Sequence, residues 1–429
     1  MSKQPKLTYK AYLSTILPII LAYITNPLVR IVELSVLSHL GSIDDMVGFA
    51  ITVCLINLMY WPLGTLRAIT IQDSREKQDD AFFQNVFLAF IIGIGIIILR
   101  EWIWAFNNIF YLDGQIGMSE ARSYYDSIIY GAPIVIINHV IIGWLIGSGK
   151  IYKNIILQGI GNLTNILLDI YFVRKLNMGV VGVGNATIIS QTLVFILGMS
   201  FVLIQKNSIV LLAIRWKTWQ PKNIQFKLRK HIDVLIRSSC IALVNNAMMI
   251  LSYRIGSITV GANAIVLQIM HLMSYFYESI SSTAVYWAKK GKKENNNELL
   301  RDIHCMTLES IMYISVVMVI GYEFYSKQLI QLFTGIEELK LQISYCDGWI
   351  AVFPVLAGWG LGAYGLFIGC KDTVVIRYTN IIAFAIFVVM CIVLVPQFKN
   401  HGIWMAFGMF YLIRSLGILA CEGSLHHEL

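Results

Sequence analysis

Three polar side chains interrupt the apolar run NLTNILLDIYF (162–172): Asn162, Asn165 and Asp169. Their spacing of i, i+3 and i+7 stacks them on one face of a helix. An acid inside a membrane helix is costly, faces the bundle interior, and often serves an ion pathway or a proton relay. The competing reading is that the three side chains only join helices by hydrogen bonds. Two further polar residues share the depth of Asp169. At about 1.5 Å of rise per residue, Glu33, Asp169 and Thr187 all fall in the outer half of their helices.

The elements that would carry these residues follow from composition. The chain has 429 residues, 57% hydrophobic and 14% charged, with a mean hydropathy of +0.67. Apolar runs of about twenty residues recur along its whole length, which is the signature of a polytopic membrane protein. We expect spans at 11–37, 46–70, 81–99, 123–147, 152–173, 179–205, 232–253, 259–287, 299–321, 342–369, 373–395 and 402–421. The runs are continuous and not alternating, so the spans are helices and not barrel strands. The net charge of +8 raises the question of nucleic acid. The basic residues sit in short loops, however, as membrane topology requires, and no nucleic-acid partner is expected. Placing the N-terminus in the cytoplasm puts Lys150, Lys153, the 206–230 linker and Lys289, Lys290, Lys292 and Lys293 inside, and both termini with them. Seven scattered cysteines form neither a disulfide framework nor a metal motif. The first apolar run follows MSKQPKLTYK without a cleavage site, so it reads as a membrane helix and not a signal peptide.

The halves echo each other. Pro133, Gly147 and Asn177-Met-Gly179 recur as Pro354, Gly369 and Asn400-His-Gly402 at a near-constant offset of about half the chain. We therefore expect an N-terminal lobe of six helices over 1–205, a cytoplasmic linker over 206–230 and a C-terminal lobe of six over 231–429. The two would be parallel repeats about an axis along the membrane normal. Two such repeats favour a transporter, although channels, scramblases and membrane enzymes are also polytopic bundles.

No GxSxG, HExxH, Walker A or CxxC is present, so neither an enzyme nor an ATP-driven pump is expected, and no cofactor or metal. His139 and His271 stand singly in spans and read as hydrogen-bonded core residues.

Several stretches together resemble the multidrug and toxic compound extrusion (MATE) transporters, in their DinF-like branch. They are NPLVRIVELSVLSHLG (26–41), WPLGTLRA (61–68), YYDSIIYGAP (124–133), GWLIGSGK (143–150), NLTNILLDIYFVRKLNMGVVGVGNAT (162–187) and GANAIVLQ (261–268). The match covers most of the chain, and the order and spacing of the pieces carry it. The resemblance implies twelve helices in two six-helix lobes and export of small molecules by antiport against Na⁺ or H⁺. It implies a cation or proton site at Glu33, Asn165, Asp169 and Thr187, with Asn162 one turn away. It also implies that bending of the first helix, which carries Pro18 and Pro27, accompanies cation binding. Prolines are common in membrane helices in any case.

Four departures stand out. The family has Asp where this chain has Glu33 and a small residue where it has Arg30. Arg30 lies three residues before Glu33, where it can pair with that carboxylate as an internal counter-ion or reach outward to headgroups. In the second half, Glu278 matches a family Asp, but Val285 and Lys289 replace a Glu and a Gly. With Glu309, Asn263 and Gln268, Glu278 is a candidate for the substrate path. The two acids can equally pair with Arg237 or with each other for structure. The wider reading is a monomeric efflux antiporter of the cell membrane, taking a small organic, cationic or amphipathic substrate. The alternatives are a lipid-linked oligosaccharide or lipid flippase of similar plan, and a membrane assembly protein without transport.

Overall fold

The computed structural model describes residues 7–75, 79–111, 116–206, 232–294, 296–370 and 374–421; the expected linker lies almost wholly outside them. The described residues are helical. The chain opens with α1 (Tyr9–Leu40), α2 (Ile43–Leu63), α3 (Thr65–Arg75), α4 (Asp79–Ile98) and α5 (Arg100–Asn108). There follow α6 (Met118–Ile128), α7 (Ala132–Gly147), α8 (Ile151–Arg174) and α9 (Gly179–Lys206). Beyond the linker come α10 (Ile232–Ile255), α11 (Ser257–Lys293), α12 (Asn297–Phe333) and α13 (Glu337–Ser344). The chain ends with α14 (Asp347–Gly362), α15 (Tyr364–Cys370), α16 (Val374–Phe398) and α17 (Asn400–Ala420).

Among the described residues, ten helical segments are long and apolar enough to cross a membrane, eleven if Phe82–Ile98 and Arg100–Tyr111, bent by 58°, are counted as one span. Of α1, Tyr9–Leu21 is a shorter apolar helix by the same measure. Breaks within spans have local causes. Pro62 and Gly64 separate α2 from α3, since proline removes a helical donor and glycine costs backbone entropy. Pro133 starts α7 behind a 3₁₀ turn at Ile129–Gly131. Pro18 and Pro27, by contrast, lie inside an unbroken α1, the first exposed and the second buried. The bend into α5 is held by Arg122, whose guanidinium donates to Glu101 Oε1 and Oε2 at 2.9 and 3.1 Å and to Asp126 at 2.7 Å.

Contacts group the helices into two units, Val32–Ser257 and Met1–Ile31 with Ile258–Leu429. This differs from a division at the linker. The first 31 residues group with the C-terminal helices, through bonds such as Tyr12 Oη to Thr307 Oγ1 at 2.8 Å. Helix α10 groups with the N-terminal ones because it packs along α2, and Tyr253 Oη donates to the Ile116 carbonyl at 3.1 Å.

Each unit repeats one packing device. In the first, Gly143 and Gly147 of α7 bring that helix onto the backbone of α3: a Cβ would meet the Arg67 carbonyl at 2.7 Å and the Ile71 carbonyl at 2.5 Å. In the second, Gly365 and Gly369 of α15 meet the Ser281 carbonyl and the Ala288 methyl of α11. Both are Gly-x-x-x-Gly pairs, the arrangement that lets membrane helices approach closely. The Asn-x-Gly echo is different. Asn177 and Gly179 form a left-handed turn before α9, with φ of +51° and +53°. Asn400 and Gly402 already lie inside α17, and Lys399 makes the turn there. The first unit's core is aliphatic and aromatic, with Phe82, Ile136, Val140, Trp144, Leu157 and Val194 at its centre.

Candidate functional site

The polar stripe of α8 lies on that helix's buried ridge. Leu157, Gly161, Asn165, Asp169 and Val173 are buried at every fourth position, while Leu163, Leu167 and Ile170 are exposed. Asn165 retains 4% exposure and Asp169 none. Asn162, one position off the ridge, is half-buried. Helix α9 packs along α8 and brings Thr187 opposite the stripe. The later part of α1, in the same unit, supplies Glu33 at 1% exposure.

The side chains meet in a short relay. Asn165 Nδ2 donates to Thr187 Oγ1 at 3.5 Å, and Thr187 Oγ1 donates to Glu33 Oε1 at 3.4 Å. Both distances exceed those of ordinary hydrogen bonds, so the groups converge without closing tightly. A carboxylate, a hydroxyl and a carboxamide are oxygen donors of the kind that suit a hard cation. Asp169, one turn beyond Asn165, adds a second carboxylate on the same ridge, so a proton is equally suited to the cluster. Four of the five expected coupling residues therefore share one buried neighbourhood. Arg30 sits one turn before Glu33 on the unbroken α1 and is half-buried.

No family model matches the chain. It is 24% identical over 422 residues to the DNA damage-inducible protein F of Escherichia coli K12, covering 96% of this chain and 91% of that one. An inward-facing multidrug resistance MATE family transporter of the MOP superfamily superposes with a TM-score of 0.81 at 16% identity, covering 98% of this chain and 99% of the other. An outward-facing structure of such a transporter gives 0.73 at 19% identity, covering 98% and 96%. A MOP superfamily transporter from Pyrococcus furiosus, described as having a binding pocket of reversed polarity, gives 0.73 at 19%, covering 97% and 96%. The chain has the fold of these MATE transporter structures.

The MATE resemblance does not extend evenly to the other expected residues. Asn263 is fully buried and does not line an accessible wall: it exchanges amide bonds with Asn400 at 2.7 and 3.2 Å and accepts the Trp404 indole N–H at 3.1 Å. Gln268 is also buried and donates to the Pro27 carbonyl at 3.5 Å. Both make these bonds inside their own unit. Glu278 is half-buried on α11. Glu309 is exposed on α12, on a face shared with Cys305, Met312 and Val316.

Sequence reasoning missed three MATE-unit features. Arg414 is 2% exposed in α17, its guanidinium over the rings of Phe410 and Tyr411 at 5.2 and 5.1 Å; a lone arginine in an apolar run was the available signal. Asn85 is buried and donates to Asp73 at 2.9 Å and Thr70 at 3.1 Å, joining α4 to α3. Asp45 caps α2 in the motif Ser42-x-x-Asp45, which the sequence does display.

Proposed function

We propose that this chain is a secondary active exporter of small organic molecules, cationic or amphipathic, driven by antiport of H⁺ or Na⁺. One observation carries the reading: Glu33, Thr187 and Asn165 converge from three helices beside the fully buried Asp169. Buried acids in a membrane helix bundle are expensive, and a coupling ion is the role that repays their retention. Cation or proton binding there favours one conformation and substrate the other, so that access alternates between the two sides of the membrane. The fold shared with structures of multidrug resistance MATE transporters supports efflux. The distribution of Lys and Arg supports a cell-membrane protein with both termini cytoplasmic. We further propose that it works as a monomer without a cofactor.

The test is ethidium or norfloxacin efflux from proteoliposomes under an imposed proton or sodium gradient. The wild type exports. Asp169→Asn keeps size and hydrogen-bonding capacity but removes the charge, and it inserts normally yet loses gradient-driven export. Wild-type export by Asp169→Asn overturns the reading.

A further inference from the structure

Asp45 joins the starts of two helices. Its Oδ2 accepts the Ser42 backbone N–H at 2.9 Å and the Ser42 hydroxyl at 3.0 Å, and Ser42 Oγ accepts the Asp45 N–H at 3.0 Å. That is a capping box at the N-terminus of α2. The other oxygen does something a capping box does not require. Oδ1 accepts the Val180 N–H at 3.4 Å, in the first turn of α9 and 135 residues away. One carboxylate thus serves two helix N-termini, where both macrodipoles favour a negative charge. Gly179 makes the approach possible: its φ is +53°, and a Cβ there would lie 2.9 Å from Asp45 Oδ1.

The same contact brings the start of α9, which carries Thr187, to the turn that follows α1, which carries Glu33. Gly41 and Ser42 follow directly on Leu40, the last residue of α1, and Gly179 is the first residue of α9. Glu33 precedes Gly41 by eight residues, and Thr187 follows Gly179 by eight. On either helix that is about 12 Å of rise. Asp45, on α2, thus holds the start of α9 beside the turn that ends α1, and α1 and α9 meet again where Thr187 reaches Glu33, all within the Val32–Ser257 unit.

We propose that Asp45 is a positioning residue: it sets the separation of Glu33 and Thr187 and thereby the affinity of their site for the coupling cation. The inference rests on the reading of Glu33, Asn165, Thr187 and Asp169 as the coupling site. The experiment is thermal unfolding of the purified full chain in detergent, titrated with Na⁺ at fixed pH and with pH at fixed Na⁺. A ligand that binds the folded state raises its unfolding midpoint with concentration. The wild type responds to one of the two ions, and Glu33→Gln abolishes that response. Asp45→Ala moves the half-effect at least threefold in ion concentration, Asp45→Asn moves it less, and Ser42→Ala lowers the unfolding temperature without moving it. Gly179→Ala, which presses on Oδ1 and leaves Asp45 in place, moves it in the same direction as Asp45→Ala and serves where that variant fails to fold. If Asp45→Ala and Gly179→Ala only lower the unfolding temperature, as Ser42→Ala does, the positioning role is overturned and the coupling site stands. If the wild type responds to neither ion, or Glu33→Gln keeps the response, the coupling site itself is overturned and the inference falls with it.

Discussion

Thr187 Oγ1 stands 3.4 Å from Glu33 Oε1, across 154 residues of chain, and the same hydroxyl accepts from Asn165 Nδ2. One small side chain on α9 is therefore the hinge between α1 and α8. Thr187→Val keeps the shape and removes the hydroxyl. A net hydrogen bond is worth about 0.5–1.5 kcal/mol, so the fold survives. The coupling-ion response weakens roughly three- to tenfold, as about 1.4 kcal/mol is tenfold in an equilibrium constant. An ion titration of gradient-driven efflux reads this directly, and an unchanged half-effect removes Thr187 from the site.

Arg30 precedes Glu33 by one helical turn. If its guanidinium acts as a permanent stand-in for the coupling cation, its removal leaves a buried carboxylate without that standing charge. Arg30→Ala then makes export more steeply pH-dependent, and Glu33→Gln in that background abolishes the new dependence. A pH–rate profile of the single and double variants checks this. An unchanged profile in Arg30→Ala means that the arginine serves the headgroup region.

The glycine pairs predict where volume is not tolerated. A Cβ at Gly365 runs into the Ser281 carbonyl, which is backbone and cannot step aside, whereas a Cβ at Gly95 has no heavy atom within 4 Å. Gly365→Ala is expected to cost about 1–3 kcal/mol, the usual range for overpacking. Gly95→Ala stabilises slightly or is neutral, because alanine is the better helix former. Unfolding temperatures of the two variants make the comparison.

Asn263 and Glu278 separate structure from selectivity. Asn263→Ala removes the stronger partner of the Asn400 amide and of the Trp404 indole and leaves the Asn400 amide only its longer bond to Cys346 Sγ at 3.6 Å, at a cost of about 1–3 kcal/mol. It lowers stability and the yield of folded protein, and leaves the ranking of substrates unchanged. Glu278→Gln is expected to weaken export of cationic substrates more than neutral ones, through loss of an attracting field. A panel of matched cationic and neutral dyes distinguishes the two. Equal effects on both classes return Glu278 to a structural role.

Hydropathy made the spans legible almost to the residue in places: 179–205 is helix Gly179–Lys206, and 232–253 is Ile232–Ile255. Short elements escaped it. Helix α5 is nine residues of mixed polarity, and its direction is set by Arg122 and Glu101, which meet across a gap in sequence. The polar cluster of Glu33, Asn165, Asp169 and Thr187 was legible because its spacing on α8 is local and the family resemblance supplied Glu33 and Thr187. The bonding of Asn263 was not legible because its partner, Asn400, lies 137 residues away. The Asn-x-Gly echo shows the converse error. Identical letters at matching offsets serve as a turn in one half and as a helix start in the other, since φ is not written in residue type alone for asparagine.

The grouping of the first 31 residues with the helices beyond Ile258 has a consequence for biogenesis. Membrane helices leave the ribosome in chain order, and N-terminal parts fold first. The unit Val32–Ser257 has all its helices as soon as α10 is made. The start of α1, although first into the bilayer, must wait for the helices beyond Ile258 before its partners exist. Until then Tyr12 lacks the Thr307 hydroxyl that it meets in the finished chain. Nascent chains stalled after Ser257 would hold one finished unit and one waiting strand of the other. A translation arrest or a premature stop in that stretch therefore exposes the N-terminal helix to membrane quality control.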